Sequence, residues 1–566
     1  MGQDKNRRGL RRNLTDYGDP DFALYLRRSF ARSMGYSLDM LERPVVGIAQ
    51  SGSGFNNCHR TMPELVEAVK RGVLAGGALP LEFPTISLAE AFLSPTSLMF
   101  RNLMSMDVEE MIRAQPMDAV VLIGGCDKTV PAQLMGAASA GQPAVQLVTG
   151  PMMAMSWRGE RLGACTDCRR FWARYRAGGV GRDEIDEIEG NLATTAGTCA
   201  VMGTASTMAC ITEALGMGLA GSAAIPAVHA DRLRMAEATG LRAAAMAQSG
   251  GPLPSQIITP QSVENALRVL LAIGGSSNAI IHLTAIAGRC RLPVSLERLN
   301  RLSDETPVLV DLKPTGAHYL QDLHAAGGLG AVLWELRDVL HHDCVTVSGE
   351  TLGQRLRSPP VYVDRGVIRA RDNPISASGG LVALFGNLAP RGAILKRSAA
   401  DASLFEREGR AVVFESLADL AARIDDPALR VSAEDFLVLK NAGPRSAAGM
   451  PEAGYLPIPK KLAQAGVKDM VRISDARMSG TAFGTVVLHV TPDAASGGTL
   501  AVVRSGDRIR LSVRERRLEL LVSDEELVVR RAALPPPPVP ERGYARLYAE
   551  HVTQADLGCD FDFLPG

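Results

Sequence analysis

Uninterrupted apolar segments alternate with amphipathic segments through the first two thirds of the chain. The segments that predict buried strands, because they are short, apolar and end near glycine, are residues 44–50, 118–125 and 143–150. The segments that predict helices are residues 63–72, 131–140 and 204–215, the last ended by Gly216. Since apolar strands separated by helices are typical of a parallel sheet with helices on both faces, we expect a large α/β domain over residues 1–370.

The pattern changes after about residue 364, where short β-rich runs are separated by turns. These runs are residues 392–397, 411–415, 435–440 and 471–474. Residues 499–523 contain two strands with alternating apolar positions around Gly506 and Asp507, which predicts a hairpin. We therefore expect a smaller β-rich, barrel-like domain over residues 371–566. The proline-rich residues 534–540 predict a stiff connector, and the aromatic tail 544–564 is expected to pack back onto the body.

Composition narrows the possible partners. The chain has 566 residues, which is too long for one hydrophobic core, and its 61 Lys and Arg balance its 61 Asp and Glu. With this balance the chain has no net positive charge that would attract nucleic acid or an anionic membrane surface. No apolar run approaches the ~20 residues that cross a bilayer, and no signal core follows the basic N-terminus, so we expect a cytoplasmic protein.

The strongest chemical signal follows the predicted strand 118–125. Cys126, Asp127 and Lys128 come directly after it, and the carboxyl ends of parallel strands are where ligands bind in open α/β sheets. A thiol, a carboxylate and an amine in succession are costly to bury without partners. The alternative is a buried cysteine beside a surface Asp–Lys pair, and spacing alone leaves both interpretations open.

Two further cysteines occupy similar turns. Cys58 follows the strand 44–50, and Cys199 precedes the helix 204–215. Nine cysteines scattered through a long chain do not suggest a disulfide framework. Thiolates are soft ligands suited to iron–sulfur clusters. Three of them would leave one iron open, which suits Lewis-acid chemistry better than electron transfer.

Long motifs give these positions a family context. The motifs are FNNCHR, ISLAEAFLSPTSLMFRNLMSMDVEEMIRAQP, GGCDKTVPAQLMGAAS, GTCAVMGTASTMACITEALGM, GSAAIPAVHA, GMPEAGYLPIP and SDARMSGTAFGTVVLHV. With them the chain resembles, nearly end to end, the dihydroxy-acid and sugar-acid dehydratases that include phosphogluconate dehydratase. The tail HVTQADLGCDFDFL and the Gly197-Thr198-Cys199 turn look more like the sugar-acid branch than the branched-chain amino-acid enzyme.

The resemblance assigns roles to residues. It implies that Cys58, Cys126 and Cys199 hold an iron–sulfur cluster, usually of the 2Fe–2S type in this branch. It implies that Glu90, Asp127 and Glu452 bind magnesium, together with Lys128 once that lysine is carbamylated. It implies that Ser479 is the catalytic base. A carbamate would give magnesium a hard oxygen ligand, whereas an unmodified ammonium would repel the metal ion.

These roles together imply a hydro-lyase. It would convert an aldonate, such as L-arabinonate, D-xylonate, D-gluconate or L-fuconate, into its 2-keto-3-deoxy acid. The alternative within the family is dihydroxy-acid dehydratase. Outside the family, a nicotinamide-dependent dehydrogenase and a non-catalytic metal-binding protein remain as rivals. The partner implied is a small-molecule sugar acid, and family members are homodimers or homotetramers.

Three other features carry less weight. Cys165 and Cys168 form a C-x-x-C without a second pair, so we interpret it as structural or incidental rather than as a zinc site. The G-x-G-x-x-G at Gly216 follows a predicted helix rather than a strand, which argues against a dinucleotide fingerprint. His59 adjoins a proposed ligand, and it could equally tune the cluster, meet substrate or make a local hydrogen bond.

Overall fold

A four-stranded parallel sheet forms the centre of the N-terminal part. The computed structural model describes residues 8–536 and 539–565. The strands of this sheet are β1 (Val45–Gln50), β2 (Leu79–Pro84), β3 (Ala119–Gly124) and β4 (Ala144–Val148), in the order β2-β1-β3-β4. Strand β3 is buried along its whole length, which explains why its sequence is apolar without alternation. A separate two-stranded hairpin consists of β5 (Met155–Trp157) and β6 (Glu160–Leu162).

Helices make up most of the N-terminal part. They are α1 (Pro20–Ser33), α2 (Leu38–Leu41), α3 (Met62–Ala75), α4 (Ser97–Ala114), α5 (Thr129–Ala140), α6 (Cys165–Arg176), α7 (Arg182–Leu192), α8 (Thr204–Leu215), α9 (Ala230–Ser249), α10 (Pro254–Ile257), α11 (Pro260–Ala272), α12 (Asn278–Arg289), α13 (Leu296–Glu305), α14 (Leu320–Ala325), α15 (Gly328–Leu336) and α16 (Leu352–Arg355). Helices α3, α5 and α9 contact the strands of the four-stranded sheet, while α3 packs against α9 and α4 against α5. Helix α8 ends where its sequence predicts, because Gly216 adopts the left-handed conformation with φ of 88°.

An eight-stranded mixed sheet forms the centre of the C-terminal part. Its strands are β7 (Val382–Leu384), β8 (Gly392–Leu395), β9 (Glu406–Phe414), β10 (Phe436–Leu439), β11 (Arg472–Ser474), β12 (Val486–Thr491), β13 (Arg508–Ser512) and β14 (Arg517–Leu520). The order is β14-β13-β9-β10-β11-β12-β8-β7. A bridge between Phe385 and Arg517 joins the two ends of the sheet, so that it closes nearly into a barrel. The predicted α/β fold with a β-rich, barrel-like second part is confirmed.

The remaining helices are short and lie within this C-terminal part. They are α17 (Leu417–Arg423), α18 (Lys460–Gln464), α19 (Asp524–Ala532) and α20 (Gly543–His551). Among the described residues, no helix is both long and apolar enough to cross a membrane.

The predicted hairpin turn at Gly506 and Asp507 is wrong. The antiparallel strands β13 and β14 are joined through residues 513–516, where Arg516 takes φ of 57°. Gly506 instead leads into β13, and its N–H donates to the carbonyl of Ala411. Asp507 accepts hydrogen bonds from Arg530. The glycine therefore serves a tertiary contact, which the local pattern does not distinguish from a turn.

Strand β2 was not predicted because Pro80 and Pro84 interrupt its apolar pattern. A proline cannot donate to a ladder and normally argues against a strand, except at a sheet edge. Strand β2 is the edge strand of its sheet, paired on one side with β1. Proline is therefore tolerated at this position.

The C-terminal tail packs onto the N-terminal helices, as predicted. Tyr548 and Phe561 are buried, and Arg101 of α4 donates to the carbonyls of Gly558 and Cys559 at 2.8 Å each. The predicted connector 534–540 lies partly outside the described residues, as does the basic N-terminus.

Candidate active site

The carboxyl ends of β1 and β3 carry the first two cysteines. Cys58 lies in a turn after β1, and Cys126 follows β3 directly ahead of α5. The ends of β3 and β4 approach closely at Gly125, where an added Cβ would lie 1.7 Å from the hydroxyl of Thr149. Only glycine fits there, so the glycine before the thiol is required by packing.

His59 holds these two cysteine turns together. Its Nδ1–H donates to the carbonyl of Ser51 at 2.7 Å, and its Nε2 accepts from the N–H groups of Gly125 at 3.0 Å and Cys126 at 3.3 Å. Burial lowers the pKa of His59 to about 4, against a weaker opposing effect of the Ser51 hydrogen bond, so the ring is neutral. Of the three roles left open by the sequence, the structure assigns His59 local hydrogen bonds.

Cys199 reaches the same place from a different segment. Thr198 bridges to Pro151 just beyond β4, and Gly197 adopts φ of 119°, with no room for a side chain beside Met152. The three thiols lie close together, because the charges of Cys126 and Cys199 help to raise the pKa of Cys58, and that of Cys126 helps to raise the pKa of Cys199. For Cys58 the largest cause is its hydrogen bond with Cys126, followed by burial. The three predicted cysteines are thus brought together.

A fourth thiol lies in this group. The Sγ of Cys165, at the start of α6, is 3.4 Å from the Sγ of Cys199. The sequence interpretation of Cys165 as structural or incidental missed this proximity. The C-x-x-C spacing could not have revealed it, because the partner is Cys199, which is distant in sequence, and not Cys168.

Three carboxylates converge next to the thiols. Oxygen atoms of Glu90, Asp127 and Glu452 all lie within 4.8 Å of one another. Asp127 follows β3, Glu90 lies between β2 and α4, and Glu452 comes from the C-terminal part between β10 and β11. The site therefore forms where the two parts of the chain meet, which is a common location for ligand sites.

Two buried cations neutralise part of this negative charge. Lys128 is fully buried, and its Nζ lies 2.5 Å from Asp127 and 3.2 Å from Glu90. Arg477 is also fully buried and donates to Glu452 at 2.8 Å and to Glu90 at 3.0 Å. The sequence interpretation did not single out Arg477, although it lies two residues before the predicted base in the motif SDARMSG.

Burial and neighbouring charges shift the pKa values of Glu452 and Glu90 in opposite directions. Burial raises the pKa of Glu452, and the neighbouring Glu90 raises it further. Burial also favours the neutral form of Glu90, but Lys128 and Arg477 outweigh it and lower the pKa of Glu90. Three carboxylates face two cations, so the centre keeps a formal excess of one negative charge when all are ionised. Such a centre favours an added cation.

Ser479 lies on a tightly packed loop after β11. Its hydroxyl is 2.8 Å from the hydroxyl of Thr481, and the N–H of Thr481 also points to it at 3.4 Å. Gly480 packs against Ser276 and the backbone of Thr204, so closely that a Cβ would lie under 3 Å from both. Asn278 then links this loop region to the carboxylates, since its Nδ2 lies 3.1 Å from the Thr204 hydroxyl and 3.3 Å from Glu452.

Comparison with known proteins places the chain in a family. The family models described as dihydroxy-acid/6-phosphogluconate dehydratase N-terminal and C-terminal match residues 43–355 and 366–559. The chain belongs to the dihydroxy-acid/6-phosphogluconate dehydratase family. It is therefore a dehydratase, and the predicted family is confirmed.

Several relatives of this dehydratase match over nearly the whole length. L-arabonate dehydratase of Azospirillum brasilense is 47% identical, covering 97% of this chain and 96% of that protein. L-arabinonate dehydratase of Rhizobium leguminosarum bv. trifolii (strain WSM2304) is 46% identical, covering 97% and 95%. 6-deoxy-6-sulfo-D-gluconate dehydratase of Pseudomonas putida is 44% identical, covering 93% and 91%. Proteins named dihydroxy-acid dehydratase match at 36% to 38% identity.

The donor atoms of this dehydratase form two chemically distinct sets. Carboxylate oxygens grouped as in Glu90, Asp127 and Glu452 suit a hard divalent cation. Nearby, the buried Oδ1 of Asn278 has no hydrogen-bond partner among the described residues, so a polar ligand at the site would satisfy it. The thiols suit a soft, sulfur-bound metal centre. The residues therefore fit both kinds of cofactor that the sequence implies.

Proposed function

We propose that this dehydratase removes water from a sugar acid and releases the 2-keto-3-deoxy acid. The observation that carries the proposal is the convergence of Glu90, Asp127 and Glu452 within 4.8 Å of one another, directly beside the thiol group. The higher identity to aldonate dehydratases than to dihydroxy-acid dehydratases supports an aldonate substrate. L-arabinonate, D-xylonate, D-gluconate and L-fuconate are the candidates.

The proposed cofactors follow the two donor sets. Glu90, Asp127 and Glu452, with Lys128 as a carbamate, would hold Mg²⁺. Cys58, Cys126 and Cys199 would hold a 2Fe–2S cluster. When bound, magnesium supplies positive charge for the enolate-like state beside the carboxylate, and the cluster supplies a Lewis acid for the departing hydroxyl.

The protein's own residues would fix the geometry of the magnesium ligands. Arg477 donates to both Glu90 and Glu452, so it sets the distance between two ligands that come from different parts of the chain. Because Arg477 and Lys128 are fully buried, bulk water does not screen these interactions. The ligands are therefore held in place before substrate arrives.

Ser479 would take the proton from the carbon next to the carboxylate. A free serine is too weak a base, so its alkoxide needs nearby positive charge and hydrogen-bond donors. The hydroxyl of Thr481 and the N–H of the same residue lie 2.8 and 3.4 Å from the Ser479 oxygen. Both can donate to the alkoxide, and the Ser479 hydroxyl, once formed, holds the abstracted proton.

A substrate panel tests the function. The purified brown protein, loaded with iron, sulfide and Mg²⁺, is assayed under nitrogen and in air against the four aldonates and 2,3-dihydroxyisovalerate, with keto-acid formation as the readout. We expect turnover of at least one aldonate. Turnover of dihydroxyisovalerate alone would establish the alternative, dihydroxy-acid dehydratase. No turnover by the loaded protein would contradict both.

Three further parts of the proposal concern the subunit number, the location and the division of the chain. We propose a homodimer or homotetramer located in the cytoplasm. We also propose that the chain divides into residues 1–370, with the cysteines and most magnesium ligands, and residues 371–566, with Ser479. Limited proteolysis and light scattering test the division and the subunit number.

A further inference from the structure

Lys396 is a buried lysine without a carboxylate partner. It follows β8 directly, and only 1% of its surface is exposed. Among the described residues, no titratable or charged side chain faces its amine closely enough to shift its pKa, and burial alone lowers that pKa to about 7. Burying a cation without a partner is costly. Groups perturbed in this way cluster at functional sites, so we examined what the amine contacts.

The amine of Lys396 contacts the loop that carries the proposed base. Its Nζ donates to the carbonyl of Gly480 at 3.4 Å, which is its only hydrogen bond within the described part of the chain. Gly480 directly follows Ser479. The charge of the lysine therefore lies beside the residue next to the base, in a buried place where bulk water does not screen it.

Two backbone contacts fix the segment that carries Lys396 against the same loop. The N–H of Gly484 donates to the carbonyl of Ala399 at 2.7 Å. The N–H of Asp401 donates to the hydroxyl of Thr485 at 3.1 Å. Residues 396–401 thus run beside residues 480–485, so the placement of the amine does not depend on its side chain alone.

We propose that Lys396 is a positioning residue for the base: its ammonium holds the loop through the Gly480 carbonyl and stabilises the alkoxide of Ser479. This inference rests on the proposed function, in which Ser479 takes the proton next to the substrate carboxylate. The two hydrogen-bond donors that Thr481 offers to the Ser479 oxygen are neutral. Lys396 adds the positive charge that an alkoxide needs.

The lysine and the serine titrate as a pair. A neutral amine beside a serine hydroxyl holds as many protons as an ammonium beside an alkoxide. Release of one proton to solvent therefore gives both forms, and the second form is the reactive one. The reactive fraction rises as the pH passes the first apparent pKa of the pair and then stays constant. After Ser479 takes the proton from carbon, one proton leaves to solvent and the cycle restarts.

The pH dependence of kcat tests this inference. Lys396→Met removes the charge and keeps a long apolar side chain. The control is Lys440→Met, because Lys440 is also buried and also follows a strand of the same sheet, β10, but pairs with Glu415 at 3.0 Å. Wild type and variants are loaded with iron, sulfide and Mg²⁺. Their kcat and KM for the aldonate that is turned over are measured from about pH 6 to about pH 10, where buried and exposed lysines titrate.

A pH-dependent loss of turnover is the expected result. The kcat of Lys396→Met should fall by about 10- to 100-fold near neutral pH, because each unit by which the pKa of Ser479 rises costs tenfold in alkoxide. The loss should shrink as the pH rises, since the serine then ionises without help. KM and the iron, sulfide and Mg²⁺ contents should stay close to those of the wild type. Lys440→Met should match the wild type at every pH.

Two other results for Lys396→Met would overturn the inference and leave the proposed function standing. One is an unchanged pH profile, and the other is a loss of the same size at every pH, which structural damage alone would give. Wild-type protein that turns over no aldonate would overturn both. If Lys396→Met is unfolded by far-ultraviolet dichroism, Lys396→Gln takes its place, since its amide keeps a hydrogen-bond donor without the charge. We expect the same alkaline shift, and a wild-type profile in Lys396→Gln would contradict the role of the charge.

Discussion

Arg477 and Glu90 lie 387 residues apart in sequence, and the guanidinium of the first donates to the carboxylate of the second at 3.0 Å. The same guanidinium reaches Glu452 at 2.8 Å. One buried arginine therefore joins the N-terminal and C-terminal contributions to the carboxylate centre. Removing it would leave Glu452 without its ion-pair partner and Glu90 with Lys128 alone. The loss of a buried partner costs more than the ion pairs themselves stabilise the protein.

Arg477→Met should therefore destabilise the protein. We expect a loss of about 3–5 kcal/mol in the free energy of unfolding, measured by urea denaturation. The control is Arg71→Met, which breaks an exposed pair with Glu237 and should cost about 1 kcal/mol or less. Equal effects of the two substitutions would contradict the role given to Arg477.

Ser479→Ala should abolish proton abstraction without emptying the site. General-base catalysis contributes roughly 10²- to 10⁴-fold, so we expect kcat to fall by about that factor while iron, sulfide and Mg²⁺ contents stay unchanged. Ser249→Ala, at the end of α9, is the control and should retain full turnover. A Ser479→Ala enzyme with bound cofactors and full activity would exclude serine as the base.

Lys128 should bind carbon dioxide as part of the metal site. Its ammonium lies beside Glu90 and Asp127, where it would repel Mg²⁺, whereas a carbamate would add an oxygen ligand. Bicarbonate should therefore lower the dissociation constant for Mg²⁺ in the wild type but not in Lys128→Arg. Carbon-13 NMR with labelled bicarbonate should show a carbamate signal in the wild type alone. Bicarbonate-independent Mg²⁺ binding would rule the modification out.

His489 should make the protein less stable in mild acid. Burial lowers its pKa from 6.5 to about 3, with a smaller contribution from Arg477, and among the described residues its Nε2 has no hydrogen-bond partner. The unfolded chain binds a proton at this histidine more readily than the folded protein does. The stability that the folded protein has with neutral His489 is therefore complete above pH 6.5 and is lost as the pH falls toward 3. The loss is about 1.4 kcal/mol per pH unit.

His489→Asn isolates this effect. Asparagine tolerates the positive φ of 57° at this position. Urea denaturation at pH 7 and pH 5 should show the wild type losing about 2 kcal/mol more than the variant. Parallel losses in both proteins would mean that His489 is protonated, or hydrated, in the folded state.

Local sequence patterns predicted the elements whose burial or ends depend on their own residues. Strand β3 is buried on both faces, so its apolar run was recognisable, and α8 ends at a glycine that needs a left-handed conformation. The turn assigned to Gly506 was wrong because that glycine leads into β13, contacting Ala411, rather than joining two strands. Strand β2 was missed because edge position, which permits its prolines, is a property of the sheet.

The family motifs located the site residues, because each motif is a continuous stretch of sequence that can be matched without knowing the fold. The motifs identified eight candidate site residues by number, and the structure brings their segments together. These residues are Cys58, Glu90, Cys126, Asp127, Lys128, Cys199, Glu452 and Ser479. Their roles stay predictions that the experiments above test. The sequence by itself thus determined the family, the elements around the site and the candidate ligands.

Tertiary structure alone decided which of the remaining polar residues belong to the site. Arg477 gains its importance from two carboxylates that reach it from different parts of the chain. His59 gains its role from the backbone of Cys126, and the contact with Cys199 places Cys165 in the thiol group. Each of these contacts joins segments that are remote in sequence. Spacing along a chain encodes only local periodicity, so a partner brought close by folding leaves no signal near the residue it meets.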